Sequence, residues 1–423
     1  MKTVTIIGLG YIGLPLACLC AEKGYKVTGF DIDKKKVEAV NKGKSPIKDK
    51  DLTEWLPKVR KNLSATTDER EIRHSDIIII CVPTPVDENY HPDLGPVVNS
   101  SKSVSRNLRK GQLVVVESTI YPGVIEEVVR PTLEESDLKA GKDFHLAHCP
   151  ERIDPGNRKW NVRNIPRVVG GVSPESTKKA ASFYRSIIEA NILELSSVKA
   201  AEATKIMENT FRDVNIAFVN ELAKSFDNLG IDITEVIKAA STKPFGFLPH
   251  YPGCGVGGHC IPVDPYYLIE KAKSKGFTHS FLALARQIND SMPDYTVKKV
   301  ISALNEVGKP VKGTKICVLG VSYKKDVGDL RESPAFKVIQ LLKKLGANLS
   351  IYDPYVPEKS TVKNLNECLK NECLVLVTDH SEFRNMDYKK LKNSKVKVIV
   401  DGRNCLDKGK IIKSGIIYKG IGR

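Results

Sequence analysis

The sequence predicts an α/β fold: two doubly wound halves joined by a long central helix and a helical middle domain. Three observations carry this reading. Short unbroken apolar runs alternate with helical stretches through the first third. The middle repeats apolar residues at steps of three and four, and the last third returns to strand–helix alternation. Unbroken apolar strands alternating with helices imply a parallel sheet covered on both faces.

In chain order, "VTIIGLG" reads as a buried strand and "GLPLACLCAEKG" as a helix stopping at Gly24. "KVTGFDID" is a second strand, and "KKKVEAVNKG" a helix ending at Gly43. "SDIIIICVP", "GQLVVVESTI" and "HLAHCPE" are further strands. From about Ser197 to Ala240 the text is helical, with Ile206, Phe211, Val214, Phe218, Leu222, Phe226 and Leu229 on the apolar repeat and Gly230 as a stop. More helix follows in "SFLALARQINDSMPDYTVKKVISALNEVG", and such long helices suit either a spacer or a dimer seam. "TKICVLGVSYK", "NLSIYDP", "ECLVLVTDH" and "VKVIVDGRN" are the strands of the last third. Ser333 and Pro334 open the helix "SPAFKVIQLLKKLG". The expected domains are 1–197, 198–305 and 306–423.

Composition narrows the function. Hydrophobic residues make up 41% and charged residues 27%, the balance of a globular chain with a full core. No apolar run reaches the roughly eighteen residues of a membrane span. "MKTVTIIGLGYIG" leads into a glycine motif rather than a cleavage site, so a cytoplasmic protein with no signal peptide is expected. Several of the ten cysteines, such as Cys81 and Cys317, sit in strand-like apolar runs, as reduced buried thiols do. The net charge of +16 suits anionic ligands such as nucleotides. With no zinc-finger spacing, no aromatic RNA motif and no long basic run, nucleic acid is not an expected partner.

"GLGYIG" sets Gly8, Gly10 and Gly13 in the G-x-G-x-x-G spacing, with Tyr11 and Ile12 on the same loop. A strand precedes it, a helix follows, and Asp31 ends the next strand, which makes this a dinucleotide fingerprint. The acidic residue would take the ribose hydroxyls and disfavour a 2′-phosphate, so NAD is the expected cofactor. Pro83 and Thr84 in "CVPTP" and Thr119 in "ESTI" follow strands whose carboxyl ends line a ligand crevice. Each has turn chemistry as its plainer reading. Glu151 and Arg152 in "CPERIDPG" are either site residues or a structural ion pair. Lys205 and Asn209 lie four apart on the long helix, facing one way: a potential oxyanion clamp, or an ordinary solvated face.

"GCGVGGHCIPVDP", from Gly253 to Pro265, leaves three readings open. Cys254, His259 and Cys260 lack the spacing of a tetrahedral metal site, so no metal is expected. Cys260 is then either an inert thiol in a tight turn or a nucleophile that a substrate approaches closely, which the glycines permit. Asp264 lies close enough in sequence to manage a proton or a water.

Taken together, "GLGYIGLP", "PTP", "EST", "PERIDPG", the Lys205/Asn209 helix, "GGHCIPVDP" and "YKKDVGDLRESPA" resemble the UDP-glucose/GDP-mannose dehydrogenase family, in that family's order and over nearly the whole chain. The resemblance implies a Rossmann-like NAD domain, a central helix at which the chain dimerises, and a C-terminal Rossmann-like UDP-sugar domain. It implies two successive oxidations of a C6 alcohol, with Cys260 capturing the aldehyde and carrying a thioester. Lys205 and Asn209 would hold the oxyanion, Asp264 and Glu151 would assist proton transfer, and Thr119 would position a water. Lys324, Arg403, Arg152, Tyr251 and Gly257 would meet the substrate, and Arg331 the cofactor phosphates. Val263 stands where the UDP-glucose branch usually carries lysine. "PERIDPGN" and "TKPFGFLPHYPGCGVGGHCIPVDPYYL" look most like the UDP-N-acetylhexosamine 6-dehydrogenases, with Arg212 facing the N-acetyl carbonyl. UDP-N-acetylglucosamine is the first expectation, UDP-N-acetylmannosamine the second and UDP-glucose the alternative. A two-electron dehydrogenase of the hydroxyacid type shares the N-terminal fingerprint but needs no cysteine. A non-catalytic NAD-binding regulator would have no use for Lys205, Asn209, Cys260 and Asp264 together.

Overall fold

The computed structural model describes residues 2–47, 49–87, 92–153 and 159–423. Contacts divide the chain into two compact units, Met1–Glu208 with Tyr266–Lys275, and Asn209–Pro265 with Gly276–Arg423. The region expected as a separate helical domain, 198–305, is shared between them.

The first unit is built on an eight-stranded sheet: β1 (Thr3–Ile7), β2 (Lys26–Phe30), β3 (Leu63–Thr66), β4 (Ile77–Ile80), β5 (Leu113–Val116), β6 (His145–His148), β7 (Arg167–Gly171) and β8 (Ile192–Glu194), in the order β3-β2-β1-β4-β5-β6-β7-β8. β4 and β5 are buried at every position, as the unbroken apolar runs required. The strands pair in step, Ile7 beside Ile80, Ile80 beside Val116 and Val116 beside His148. Their carboxyl ends therefore finish in one row.

The sheet is parallel, as expected, except at β7, which runs antiparallel to β6. No helix lies among the described residues of the connection between them. Without a helical crossover the chain returns in the opposite direction. The helix Lys50–Val59, β3, β7 and β8 went unread in the sequence.

The second unit has a five-stranded parallel sheet: β9 (Lys315–Leu319), β10 (Asn348–Tyr352), β11 (Cys373–Leu376), β12 (Val398–Asp401) and β13 (Ile417–Gly420), in the order β10-β9-β11-β12-β13. The two sheets repeat one local device. Gly8 N–H donates to the Phe30 carbonyl at 2.8 Å, and Gly320 N–H to the Tyr352 carbonyl at 2.8 Å. Leu9 N–H then meets Asp31 Oδ2 at 2.8 Å, and Val321 N–H meets Asp353 Oδ2 at 2.7 Å. Each second strand thus ends in a carboxylate that caps the turn after the first, where unpaired backbone donors would otherwise be buried.

The long helix runs Val198–Leu229 and stops at Gly230, in the left-handed region at φ +71°. Asp232 caps the next helix, Ile233–Ala240. The chain's last residues fasten to this region of the second unit. Ile421 is fully buried with Val219, Ala223 and Ile233, and Arg423 Nε pairs with Asp232 Oδ2 at 3.0 Å.

Candidate active site

In the first unit the loop between β1 and the helix Gly13–Glu22 is glycine-built for two different reasons. A Cβ at Gly13 would lie 1.9 Å from the Gly8 carbonyl oxygen, so the helix can approach the strand only without one. A Cβ at Gly10 would meet nothing within 4 Å, so the space beside that backbone is open. Asp31 stands at the next strand end, 7% exposed, with Oδ1 accepting Asp33 N–H at 2.9 Å and Lys36 3.5 Å from Oδ2. An open glycine loop at a helix start beside a strand-end carboxylate fits a dinucleotide's pyrophosphate and ribose.

Pro83 and Thr84 follow β4, Thr119 follows β5, and Glu151 and Arg152 follow β6, so all five lie on the same edge as the glycine loop. Pro83 is exposed and Thr119 half-buried, while Thr84 is buried and its carbonyl accepts the Tyr267 hydroxyl. Glu202 on the long helix receives Gly123 N–H at 2.6 Å and Ile125 N–H at 2.8 Å, which ties the segment after Thr119 to the helical turn before Lys205. Lys205 itself is 9% exposed. Burial pushes the Glu202 carboxyl up to about 7, against the pull of those two backbone donors.

Glu151 is held fast. Its Oε1 accepts Arg152 N–H and Ile153 N–H at 2.6 Å each, and its Oε2 lies 2.8 Å from Arg167 Nη2. Arg167 is fully buried and also reaches Glu117 at 3.1 Å, while Tyr184 donates to Glu117 at 2.6 Å. Burial raises the Glu117 carboxyl to about 7, partly offset by Arg167. One cation between two buried carboxylates sets the position of Glu151, and this local geometry favours the ion-pair reading of that residue. Arg152 is likewise engaged, with Nη2 2.6 Å from Glu208 and Nη1 donating to the Pro166 carbonyl at 2.9 Å. The 154–156 part of the "PERIDPG" motif lies outside the described residues.

In the second unit the glycine segment rests on the loop that leaves β9. A Cβ at Gly257 would lie 2.6 Å from Tyr323 Cβ and 2.9 Å from the Glu332 carbonyl oxygen. One at Gly258, which sits at φ +92°, would lie 2.8 Å from the Tyr323 ring. Gly258 N–H donates to the Arg331 carbonyl at 3.0 Å. The glycines were expected to let backbone and ligand come close; at these two the protein's own loop does so. Cys254 is 1% exposed, and a Cβ at Gly402 would lie 2.0 Å from its Sγ. Its thiol is core packing, pushed up to about 11 by burial. Among the described residues no three His, Cys, Asp or Glu side chains group as metal ligands.

Cys260 is different: it and Cys405 are half-buried, while the other eight thiols are buried. Asp264 N–H donates to the Cys260 carbonyl at 2.8 Å, so the two residues close one turn. Asp264 Oδ2 accepts Asn209 Nδ2 at 2.5 Å, with both side chains buried. The upstream end of the segment is anchored by a relay the sequence did not reveal. Gly253 N–H donates to Asn220 Oδ1 at 3.0 Å, Asn220 to Asn289 at 2.9 Å, and Asn289 to Asp213 at 2.8 Å. Arg286 closes it on Asp213 at 2.5 Å. Spacing could have placed Asp213 and Asn220 on one helix face, but only the fold pairs them with Asn289 and Arg286. Arg403 pairs with Asp379 at 3.6 Å, and a Cβ at Gly253 would meet its Nη1 at 2.6 Å. Lys324 and Arg331 share the Tyr323 loop, Arg331 forking onto Asp329. Arg212 and Tyr251 are exposed.

Two outcomes are expected from this packing. Gly402→Ala lowers the unfolding free energy, and Cys254→Ala relieves part of that loss in the double variant, a coupling of about 1 kcal/mol or more in urea melts; strict additivity would contradict the contact. Glu202 has a folded pKa raised from about 4.5 to about 7, so its contribution to stability is full below the lower value and is lost as pH rises through the upper one. Wild type should lose stability across that window more steeply than Glu202→Gln, by on the order of 2 kcal/mol. Parallel slopes in urea melts at each pH would contradict it.

Three family models span the chain. The NAD binding domain of the UDP-glucose/GDP-mannose dehydrogenase family matches residues 2–188, its central domain 199–291 and its UDP binding domain 317–408. The UDP-N-acetyl-D-glucosamine 6-dehydrogenase of Pseudomonas aeruginosa is 37% identical, over 96% of this chain and 98% of that one. The UDP-N-acetyl-D-mannosamine dehydrogenase of Pyrococcus horikoshii is 36% identical, over 99% of each. A solved structure of UDP-D-ManNAc dehydrogenase from Pyrococcus horikoshii superposes with a TM-score of 0.94, covering 100% of this chain and 99% of the other at 36% identity. With the open glycine loop, the strand-end carboxylate and the half-buried thiol in place, these matches establish that the chain belongs to the UDP-glucose/GDP-mannose dehydrogenase family of NAD-dependent oxidoreductases.

Proposed function

We propose that the chain oxidises the C6 hydroxyl of a UDP-N-acetylhexosamine to the carboxylate, with UDP-N-acetylglucosamine as first choice and UDP-N-acetylmannosamine as second. The observation that carries the reading is Cys260, a half-buried thiol one turn from Asp264, whose carboxylate is hydrogen-bonded to Asn209. The likeness to relatives named for each of these two sugars supports the acetylated class.

NAD would be held by Gly8, Gly10, Tyr11, Ile12, Gly13 and Asp31, with Pro83, Thr84, Thr119 and Arg331 as further contacts, and would supply the hydride acceptor for each of two oxidations. Between them the Cys260 sulfur adds to the C6 aldehyde, forming the C–S bond of a thiohemiacetal whose oxygen takes a proton. Loss of the C6 hydride and the hydroxyl proton leaves a thioester, and water then cleaves the C–S bond, releasing the carboxylate and the thiol. In sum one alcohol and one water yield one carboxylate, with two hydrides removed. Lys205 and Asn209 stabilise the oxyanion. Asp264 handles protons through water, with Thr119 positioning that water. Glu151, held by Arg167 at the end of β6, assists that proton transfer. The substrate is received by Arg152, Tyr251, Gly257, Lys324 and Arg403, with Arg212 toward the acetyl group.

The second unit exposes Phe218, Phe211, Phe281 and Leu284 at 55%, 48%, 67% and 52%. Large apolar side chains left this open favour association with a second copy of the chain.

Two measurements test these readings. Wild type should form two NADH per sugar from one acetylated UDP-sugar, and Cys260→Ser should stall after the first oxidation. One NADH per sugar in wild type, or an unaffected second step in the variant, would return Cys260 to the inert reading. Phe218→Asp should shift the mass from dimer toward monomer in size-exclusion light scattering; an unchanged mass would remove that face from the interface.

A further inference from the structure

His380 follows β11 and is fully buried, yet both its ring nitrogens are engaged. Asp326 N–H donates to Nδ1 at 2.9 Å. Nε2 lies 3.1 Å from Asp353 Oδ2 and 2.9 Å from Ser322 Oγ. A ring that accepts at Nδ1 carries its proton on Nε2, so the imidazole donates to the Asp353–Ser322 pair. Burial raises the Asp353 carboxyl, but the bonds from His380, Ser322 and Val321 outweigh it and hold it well below the usual carboxylate range.

Asp326 returns the contact. Its carboxylate accepts Ser381 N–H at 2.8 Å and the Ser381 hydroxyl at 2.6 Å, and its backbone is held at φ +56°. The Tyr355 ring lies 4.8 Å from the imidazole, centroid to centroid. His380 and Ser381 therefore clamp the middle of the loop between β9 and the helix Pro334–Lys344. Beyond the clamp, Tyr323 N–H donates to the Asp329 carbonyl at 2.9 Å, and the Arg331 carbonyl receives Gly258 N–H. This one loop carries Lys324, Tyr323 and Arg331, and Gly257 and Gly258 pack against it.

We infer that His380 is a positioning residue for the reaction: through Asp326 it fixes the loop that presents Lys324 and supports the Cys260 segment. The inference rests on the reading of Cys260 as nucleophile and of the second unit as the holder of the UDP-sugar. A rigid ring suits the task because it accepts on one side and donates on the other. Asparagine can place an acceptor where Nδ1 stands, and glutamine a donor where Nε2 stands, but neither spans both.

The test compares His380→Asn, His380→Gln and His380→Ala. The readouts are KM and kcat for whichever acetylated UDP-sugar wild type oxidises, and the rate of Cys260 alkylation by iodoacetamide, read on its peptide by mass spectrometry. The asparagine variant should keep KM within about threefold of wild type, the glutamine and alanine variants should raise it about tenfold or more, and kcat at saturation should change less than about threefold. The alkylation rate of Cys260 should depart from wild type in the same order. A KM unchanged in all three, an asparagine variant no better than alanine, or losses that simply follow melting temperature would overturn the inference. Should alanine fail to fold, the asparagine–glutamine pair decides. A wild type that oxidises neither sugar counts against the proposed function instead, and the alkylation order still tests the clamp.

Discussion

The structure of the second unit turns on the absence of two side chains. With any Cβ at Gly257 or Gly258, the segment leading to Cys260 would collide with Tyr323 and the Glu332 carbonyl. Close backbone approach is what lets Gly258 N–H reach the Arg331 carbonyl. The thiol is thus carried by a strip of chain pressed onto the loop after β9. It is anchored upstream by the Asn220–Asn289–Asp213 relay and downstream by the Cys260–Asp264 turn. Each buried polar group in this relay that lost its partner would cost about 1–3 kcal/mol, which makes the arrangement hard to shift.

A second constraint is shared by both units. In each, a carboxylate at the end of the second strand caps the turn after the first, with hydrogen bonds matching to about 0.1 Å. The two units then diverge in what stands beside the capped turn. Beside Asp31 the chain leaves open space at Gly10 and starts a helix three residues on. Beside Asp353 the serine hydroxyl of Ser322 and the imidazole of His380 fill the place, and the helix waits until Pro334. One turn is left open; the other is filled by the protein.

Much of this was legible in the sequence, and the reason is local. "IIII" and "LVVV" are buried on both faces and could be little else than central strands. Gly230 and Ser333 do what their residue types do, ending one helix and capping another. The glycine spacing and Asp31 could be read because their chemistry is carried by short-range pattern. The antiparallel β7 could not, because strand direction depends on the length and path of a connection rather than on the residues of the strand. Arg167 was equally hidden: nothing in "RVVGG" says that its first residue will be a fully buried cation between Glu117 and Glu151. His380 and Asn220 belong to the same class. Their partners lie far away in sequence, so only the fold assembles them. The glycines before Cys260 signal close approach in the sequence, and at Gly257 and Gly258 the Tyr323 side chain is one group that approaches.

In the proposed reaction this strip of chain carries a covalent catalyst. The most direct measurement is peptide mass spectrometry on enzyme acid-quenched during turnover with NAD and an acetylated UDP-sugar. A covalent role for Cys260 predicts an adduct of the sugar nucleotide on the peptide that contains it, present only when cofactor and substrate are both supplied. Carboxylate product accumulating while the Cys260 peptide stays unmodified at every quench time would contradict it.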